Sequence, residues 1–264
     1  MSAAAASTEG GPLPAIGAAL RERYESVRAR IAAAARRGGR SPESVALVVV
    51  SKTASLEQVR ELVGLGQVDF GENRVQQLVQ RAAQIAEFLA RRRELQRTPG
   101  TVRWHMIGRL QRNKVKKAVE HSRLIHSVDS MRLAEEIESC ATKREEPVDV
   151  LVEVNVSGEE SKAGISPPAV RHIVAQIDTM VNVRPRGLMC MAPLKSSEAE
   201  CRGIFERCRE LLEDVRRSGA GGERFDLLSM GMSNDFELAV ECGANLVRIG
   251  SAILGAPALV ETPD

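Results

Sequence analysis

Aromatic side chains are scarce in this chain, with one tryptophan, one tyrosine and five phenylalanines making up 3% of 264 residues. That scarcity removes the stacking platforms on which proteins usually read single-stranded nucleic acid. Charge of one sign is lacking as well. Thirty-seven basic and 35 acidic residues leave a net charge of +2, so no overall field draws in nucleic acid, an anionic membrane or a polyanionic substrate. Any anion site must be local. The most apolar stretch, Ala46 to Val50, is far shorter than the ~20 residues of a membrane helix. The five cysteines (Cys140, Cys190, Cys201, Cys208 and Cys242) contain no CxxC pair and no Cys/His cluster at metal-ligand spacing. Free, mostly buried thiols in a reducing compartment are the plain reading, which predicts a cytoplasmic protein without a metal. The first fourteen residues, MSAAAASTEGGPLP, lack the basic start and apolar run of a secretory signal. They read as a disordered tail, followed by one domain over residues 15–264.

What is present is a rhythm of short β-branched runs and longer amphipathic stretches. Ile16, Leu20, Tyr24, Val27 and Ile31 recur at helical spacing ahead of the Gly38-Gly39 breaker, giving an extra amino-terminal helix. Eight βα units follow, with strands expected at Val45–Val50, Val68–Phe70, Val102–Ile107, Leu124–Val128, Val148–Val156, Val183–Met189, Phe225–Leu228 and Leu246–Ile249. Ser130 is placed to cap the helix after the fourth strand. Eight such units in one domain predict an α/β fold of the (β/α)8 TIM-barrel type, with an open doubly wound sheet as the competing arrangement.

Barrels of this kind build their active face from the loops after the strands. Lys52 follows the first strand directly. It is either a surface or snorkelling lysine, or an amine whose charged form is disfavoured by desolvation and which is thereby freed to attack a carbonyl. The loop after the seventh strand reads SMGMS, and the one after the eighth reads RIGS. Glycine and serine at these two positions, the second beside Arg248, suit a phosphate, although two ordinary turns with Ser233 as an N-cap would look the same. A ligand with both a carbonyl and a phosphate fits the lysine and the two loops together.

Eight strings carry a resemblance to a known family. They are VSKT, FGENRVQ, WHMIGRLQRNKVK, SVDS, VNVSGEESKAG, RGLMCM, SMGMSNDFELAV and VRIGSAILG, in that order between Val45 and Gly255. Together they resemble the pyridoxal phosphate homeostasis proteins, the YggS or PROSC family, and so the amino-terminal barrel of alanine racemase. The resemblance implies that pyridoxal 5'-phosphate (PLP) is held as a Schiff base on Lys52. It further implies phosphate contacts from Ser229, Gly231, Met232, Ser233, Gly250 and Ser251, and Arg248 facing the pyridine nitrogen; Asn73, after the second strand, is either a hydrogen-bonding partner of cofactor oxygens or a turn asparagine that satisfies backbone. An arginine there would keep that nitrogen unprotonated and weaken the ring as an electron sink.

The related racemases use a tyrosine base from an additional carboxy-terminal domain. The only tyrosine here is Tyr24, at a helical core spacing, and the chain ends at Asp264 soon after the eighth unit. The expectation is therefore a carrier or buffer in PLP homeostasis, monomeric and not an enzyme, passing the cofactor to apoenzymes or free amines. A weak racemase using Lys52, with His105 near the site, is the alternative. A second alternative is RNA binding through the basic segment 109–117, where Arg109, Arg112, Lys114, Lys116 and Lys117 cluster without aromatic neighbours.

Overall fold

The computed structural model describes residues 15–94, 102–159 and 163–255; the tail expected over 1–14 lies outside them. A helix, α1 (Ala15–Arg37), precedes the alternating units β1 (Ala46–Val50), α2 (Leu56–Gly64), β2 (Asp69–Glu72), α3 (Val75–Glu94), β3 (Arg103–Met106), α4 (Val115–His121), β4 (Leu124–Val128) and α5 (Met131–Ala141). Then come β5 (Val148–Glu153), α6 (Val170–Asp178), β6 (Val183–Met189), α7 (Glu198–Arg217), β7 (Leu227–Ser229), α8 (Phe236–Glu241), β8 (Leu246–Ile249) and α9 (Ser251–Leu254). The strands are parallel neighbours in chain order and close on themselves, with Ala46–Val49 of β1 opposite Leu246–Ile249 of β8. This is the (β/α)8 barrel, and the open sheet is excluded.

The strands are apolar because they are covered on both faces: every residue of β2, β4, β5 and β8 is buried. Capping boxes start two of the outer helices, Ser55 with Gln58 on α2 and Ser197 with Glu200 on α7. Ser130 stands at the N-cap of α5 as expected, but its hydroxyl donates to Asp129 rather than accepting from the helix amides. The last unit ends in a helix of only four residues, and α1 fills the outer layer there, packing on α8, α9 and α2. Arg23 fastens it by donating to the carbonyls of Ile253 and Leu254. At Gly187 the β6 backbone passes so close to β7 that a Cβ would lie 1.8 Å from the Leu227 oxygen.

Inside the barrel, Val48, Leu124, Leu151, Met189 and Leu246 form a small apolar cluster from five different strands. Tyr24 is 3% exposed and donates to Gln67, so it is a packing residue. Cys190, Cys201, Cys208 and Cys242 are buried free thiols, and Cys140 is partly buried. Among the described residues no helix is long and apolar enough to cross a membrane, and no group of three or more His, Cys, Asp or Glu is arranged to hold a metal.

Candidate cofactor site

Two adjoining clefts open where the strands end. The larger, about 840 Å³, is lined by Lys52, Thr53, Met232, Ser233, Arg248, Gly250 and Ser251, among others. The second, about 670 Å³, shares Lys52, Met232 and Arg248 with it and adds Asn73, Gly108, Arg109, Glu153 and Asn155. The backbone puts Lys52 at their common wall, because the Ser51 amide still pairs with the Gly71 carbonyl and the chain turns out of the sheet at the next residue. Its side chain is exposed, so the protein alone supplies little of the desolvation that a lysine in a dry mouth would feel.

The two glycine-serine turns meet at Ser233. Its Oγ accepts from the amides of Gly250 and Ala252, both at 3.3 Å, which ties the β7 loop to the first turn of α9. Ser233 is therefore not the N-cap of α8; Asp235 holds that place, and its carboxylate accepts from the Met232 amide at 2.6 Å. Gly231, at φ 92°, is needed for packing: a Cβ there would lie 2.6 Å from Ala239 and 2.9 Å from the Phe236 backbone. Like Gly231, Ser229 lines neither cleft. It is wholly buried, and its hydroxyl is engaged by Arg248 Nη1 and His126 Nδ1. Ser229 thus lies beneath the floor of the clefts. The remaining expected residues, Lys52, Asn73, Met232, Ser233, Arg248, Gly250 and Ser251, all line one or both clefts.

Arg248 is 4% exposed, and its Nη2 donates to the Cys190 carbonyl at 3.0 Å. Burial pulls its pKa down, against the upward pull of Cys190, Glu153 and Asp235. Glu153, at the end of β5, has its carboxyl pushed up by burial and by Asp129, with Arg248 and Arg109 opposing. His105 lines neither cleft and is 4% exposed between Asp69 and His126, so a role as a second base at the site is not what its position offers. In the basic segment, Arg109, Arg112 and Lys114 line a third cleft of about 750 Å³ with Arg74 and Arg132, adjoining the second through Asn73 and Arg109, while Lys116 and Lys117 are exposed on α4.

Sequence reasoning missed the wall formed after β6 by Met191, Ala192, Pro193 and Leu194. Leu194 is 87% exposed and Met191 40% exposed beside the clefts, and an apolar run directly after a strand end was the available signal. It also missed His126, whose signal was one imidazole in the middle of an apolar strand.

This donor set suits a planar, phosphorylated aldehyde: an accessible amine, hydroxyls and amides at one end, exposed apolar side chains alongside, and a fixed guanidinium. The family model of the alanine racemase N-terminal domain matches residues 22–257. The pyridoxal phosphate homeostasis protein of Pseudomonas aeruginosa is 37% identical over 237 residues, covering 90% of this chain and 95% of that protein. The protein of the same name from Aquifex aeolicus is 38% identical over 234 residues, 89% of this chain and 96% of its own. PipY of Synechococcus elongatus, solved with PLP bound, superposes with a TM-score of 0.75 at 34% identity, covering 89% of this chain and all of PipY. The chain therefore belongs to the family of pyridoxal phosphate homeostasis proteins.

Proposed function

We propose that this protein binds PLP in the paired clefts as a Schiff base on Lys52, and that it stores and surrenders the cofactor in PLP homeostasis rather than converting amino acids. The observation that carries the reading is a single cleft lined by Lys52, by both glycine-serine turns and by Arg248. When bound, PLP supplies an aldehyde that condenses reversibly with an amine. The rest is done by the chain. Ser233, Gly250 and Ser251 hold the phosphate, Met232 and Asn73 border the ligand, and Arg248 faces the ring nitrogen and keeps it unprotonated. Leu194 and Met191, exposed beside the clefts, would border the ring.

Neither Tyr24 nor His105 reaches the clefts, and among the described residues no tyrosine or histidine lines them. That supports a holder over a two-base racemase. Retention through an exchangeable bond suits a protein working as a cytoplasmic monomer, with apoenzymes or free amines as acceptors. The test is to load the purified chain with PLP, record its visible band, trap the adduct with borohydride and locate it by mass spectrometry. The band and the adduct at Lys52 are expected in the wild type and lost in Lys52→Ala; a wild type that takes up no PLP refutes the proposal. Sustained formation of D-isomers from L-amino acids, above that given by free PLP, would refute the non-enzymatic part.

A further inference from the structure

An unbroken line of polar contacts runs through the lumen from one end of the barrel to the other. At the start of β2 and β3, Arg103 grips Asp69 with two parallel hydrogen bonds of 2.7 Å, Nε to Oδ1 and Nη2 to Oδ2. Asp69 Oδ1 meets His105 Nε2 at 2.9 Å, His105 Nδ1 meets His126 Nε2 at 2.9 Å, and His126 Nδ1 meets Ser229 Oγ at 3.0 Å. Ser229 Oγ in turn accepts from Arg248 Nη1. From Asp69 to Arg248 no member is more than 8% exposed. Because β4 and β7 are not neighbours in the sheet, the contact between His126 and Ser229 crosses the lumen.

The two ends limit the directions the hydrogens between them can take. A guanidinium only donates, and an ionised carboxylate only accepts. Burial alone would raise the Asp69 carboxyl, but the hydrogen bonds of His105 and Arg103 and the charge of Arg103 oppose it, and the group lies below its ordinary value. Having accepted from Arg248, Ser229 has its own O–H free for His126 Nδ1. His126 then carries its proton on Nε2 and donates to His105 Nδ1, and His105 carries its proton on Nε2 and donates to Asp69. In this arrangement each contact holds one hydrogen and both imidazoles are neutral; a cationic His105 donating from both nitrogens would instead put the His126 proton on Nδ1 and make Ser229 accept twice. Burial, the largest cause, holds His126 well below its usual range, and the charge of Arg248 adds to it.

We infer that Ser229, His126, His105 and Asp69 are positioning residues for Arg248, a claim that rests on reading the clefts as the PLP site. Of the five guanidinium N–H groups, Ser229 and the Cys190 carbonyl take one from each terminal nitrogen. The other three are left with fixed directions on a side chain that lines both clefts. A donor held this way needs no reorganisation when a ligand arrives. Stability does not account for the thread, because a buried polar chain is often no better than well-packed apolar side chains. Just such side chains fill the adjacent apolar cluster.

Two arms test this on the full chain. Without cofactor, long-range proton–nitrogen NMR of 15N-histidine-labelled protein should show His105 and His126 as neutral Nε2–H tautomers, and Ser229→Ala should disturb His126. An Nδ1–H or doubly protonated His126 in the wild type overturns the inference. With PLP loaded, Ser229→Ala and the isosteric, remote Asp69→Asn should each release cofactor about tenfold faster and shift its visible band. Unchanged release and an unchanged band in both variants overturn the inference even if both fold. If the wild type takes up no PLP, the site reading fails and the positioning role fails with it, while the tautomers still report the chain itself.

Discussion

Glu72 ends β2, one residue before Asn73, and is wholly buried. Its Oε1 accepts from Ser51 Oγ at 2.7 Å and pairs with Arg81 Nε at 2.9 Å, while Oε2 is buried with no partner among the described residues. Ser51 precedes Lys52, so this carboxyl anchors the loop that presents the amine. Burial pushes its pKa up, and the bond from Ser51 and the charge of Arg81 only partly offset this. A folded-state pKa above the unfolded one gives stability that is complete below the unfolded value, near pH ~4.3, and is lost as pH rises through the folded value. Within that window the loss reaches at most ~1.4 kcal/mol per pH unit. Glu72→Gln copies the protonated acid, keeps the Oε1 acceptor and does not titrate. It should be at least as stable as wild type at neutral pH, with the difference closing in acid. Glu72→Ala leaves Ser51 and Arg81 without their acceptor and should cost about 3 kcal/mol, the low end for breaking a buried pair because Arg81 is slightly exposed. Urea unfolding of the three proteins across a pH series measures both effects. Parallel stability–pH curves for wild type and Glu72→Gln, or a Gln variant as weak as the Ala one at neutrality, would show that the Arg81 ion pair outweighs burial.

Three further substitutions probe the clefts and their surroundings. At Gly108 a Cβ would lie 2.4 Å from the Asn73 carbonyl oxygen and 2.8 Å from its Cα; Gly108→Ala should therefore displace the Asn73 loop and speed PLP release with the circular dichroism spectrum intact, and unaltered release would count against that loop as part of the site. Asp149 holds Arg123, Arg184 and Arg186 at 2.6, 2.6 and 3.1 Å near the start of β5, away from the clefts. Asp149→Ala should lower stability in urea by roughly 3 kcal/mol and leave PLP retention unchanged, whereas weakened retention would argue that the two barrel ends are coupled through more than the histidine thread. Replacing Arg112 and Lys114 together by Ala should also leave PLP retention unchanged, and the wild type should form no salt-sensitive complex with single-stranded RNA; such a complex, abolished by the double substitution, would restore the nucleic-acid alternative.

The strands were legible where an apolar run is bounded by polar residues: β4, β6 and β8 have the limits read from sequence alone. β5 ends earlier than its run of valines suggests, because Val154 leaves the ladder to form an isolated bridge with Ile165. β7 starts later, because Phe225 packs against the turn at Gly221 and is spent before the strand begins. In both places a specific contact, a bridge to the following loop or packing on a glycine turn, overrides a local preference for strand.

Lys52, Ser233, Gly250 and Ser251 were legible for a different reason: a barrel sends whatever follows each strand to one face, so eight short loops can be read in order. Ser229 shows where that rule stops. It belongs to the same SMGMS string as Ser233, yet four residues take the chain from the end of a strand, with its side chain turned into the lumen, to the rim of the cleft. A hydroxyl in the first position meets whatever crosses the barrel from the opposite side, here an imidazole on β4, three strands away. No spacing in one sequence records which residues oppose each other across a closed sheet. The position of Arg248 could therefore be read from its own strand, but what holds it could be seen only after the barrel had closed.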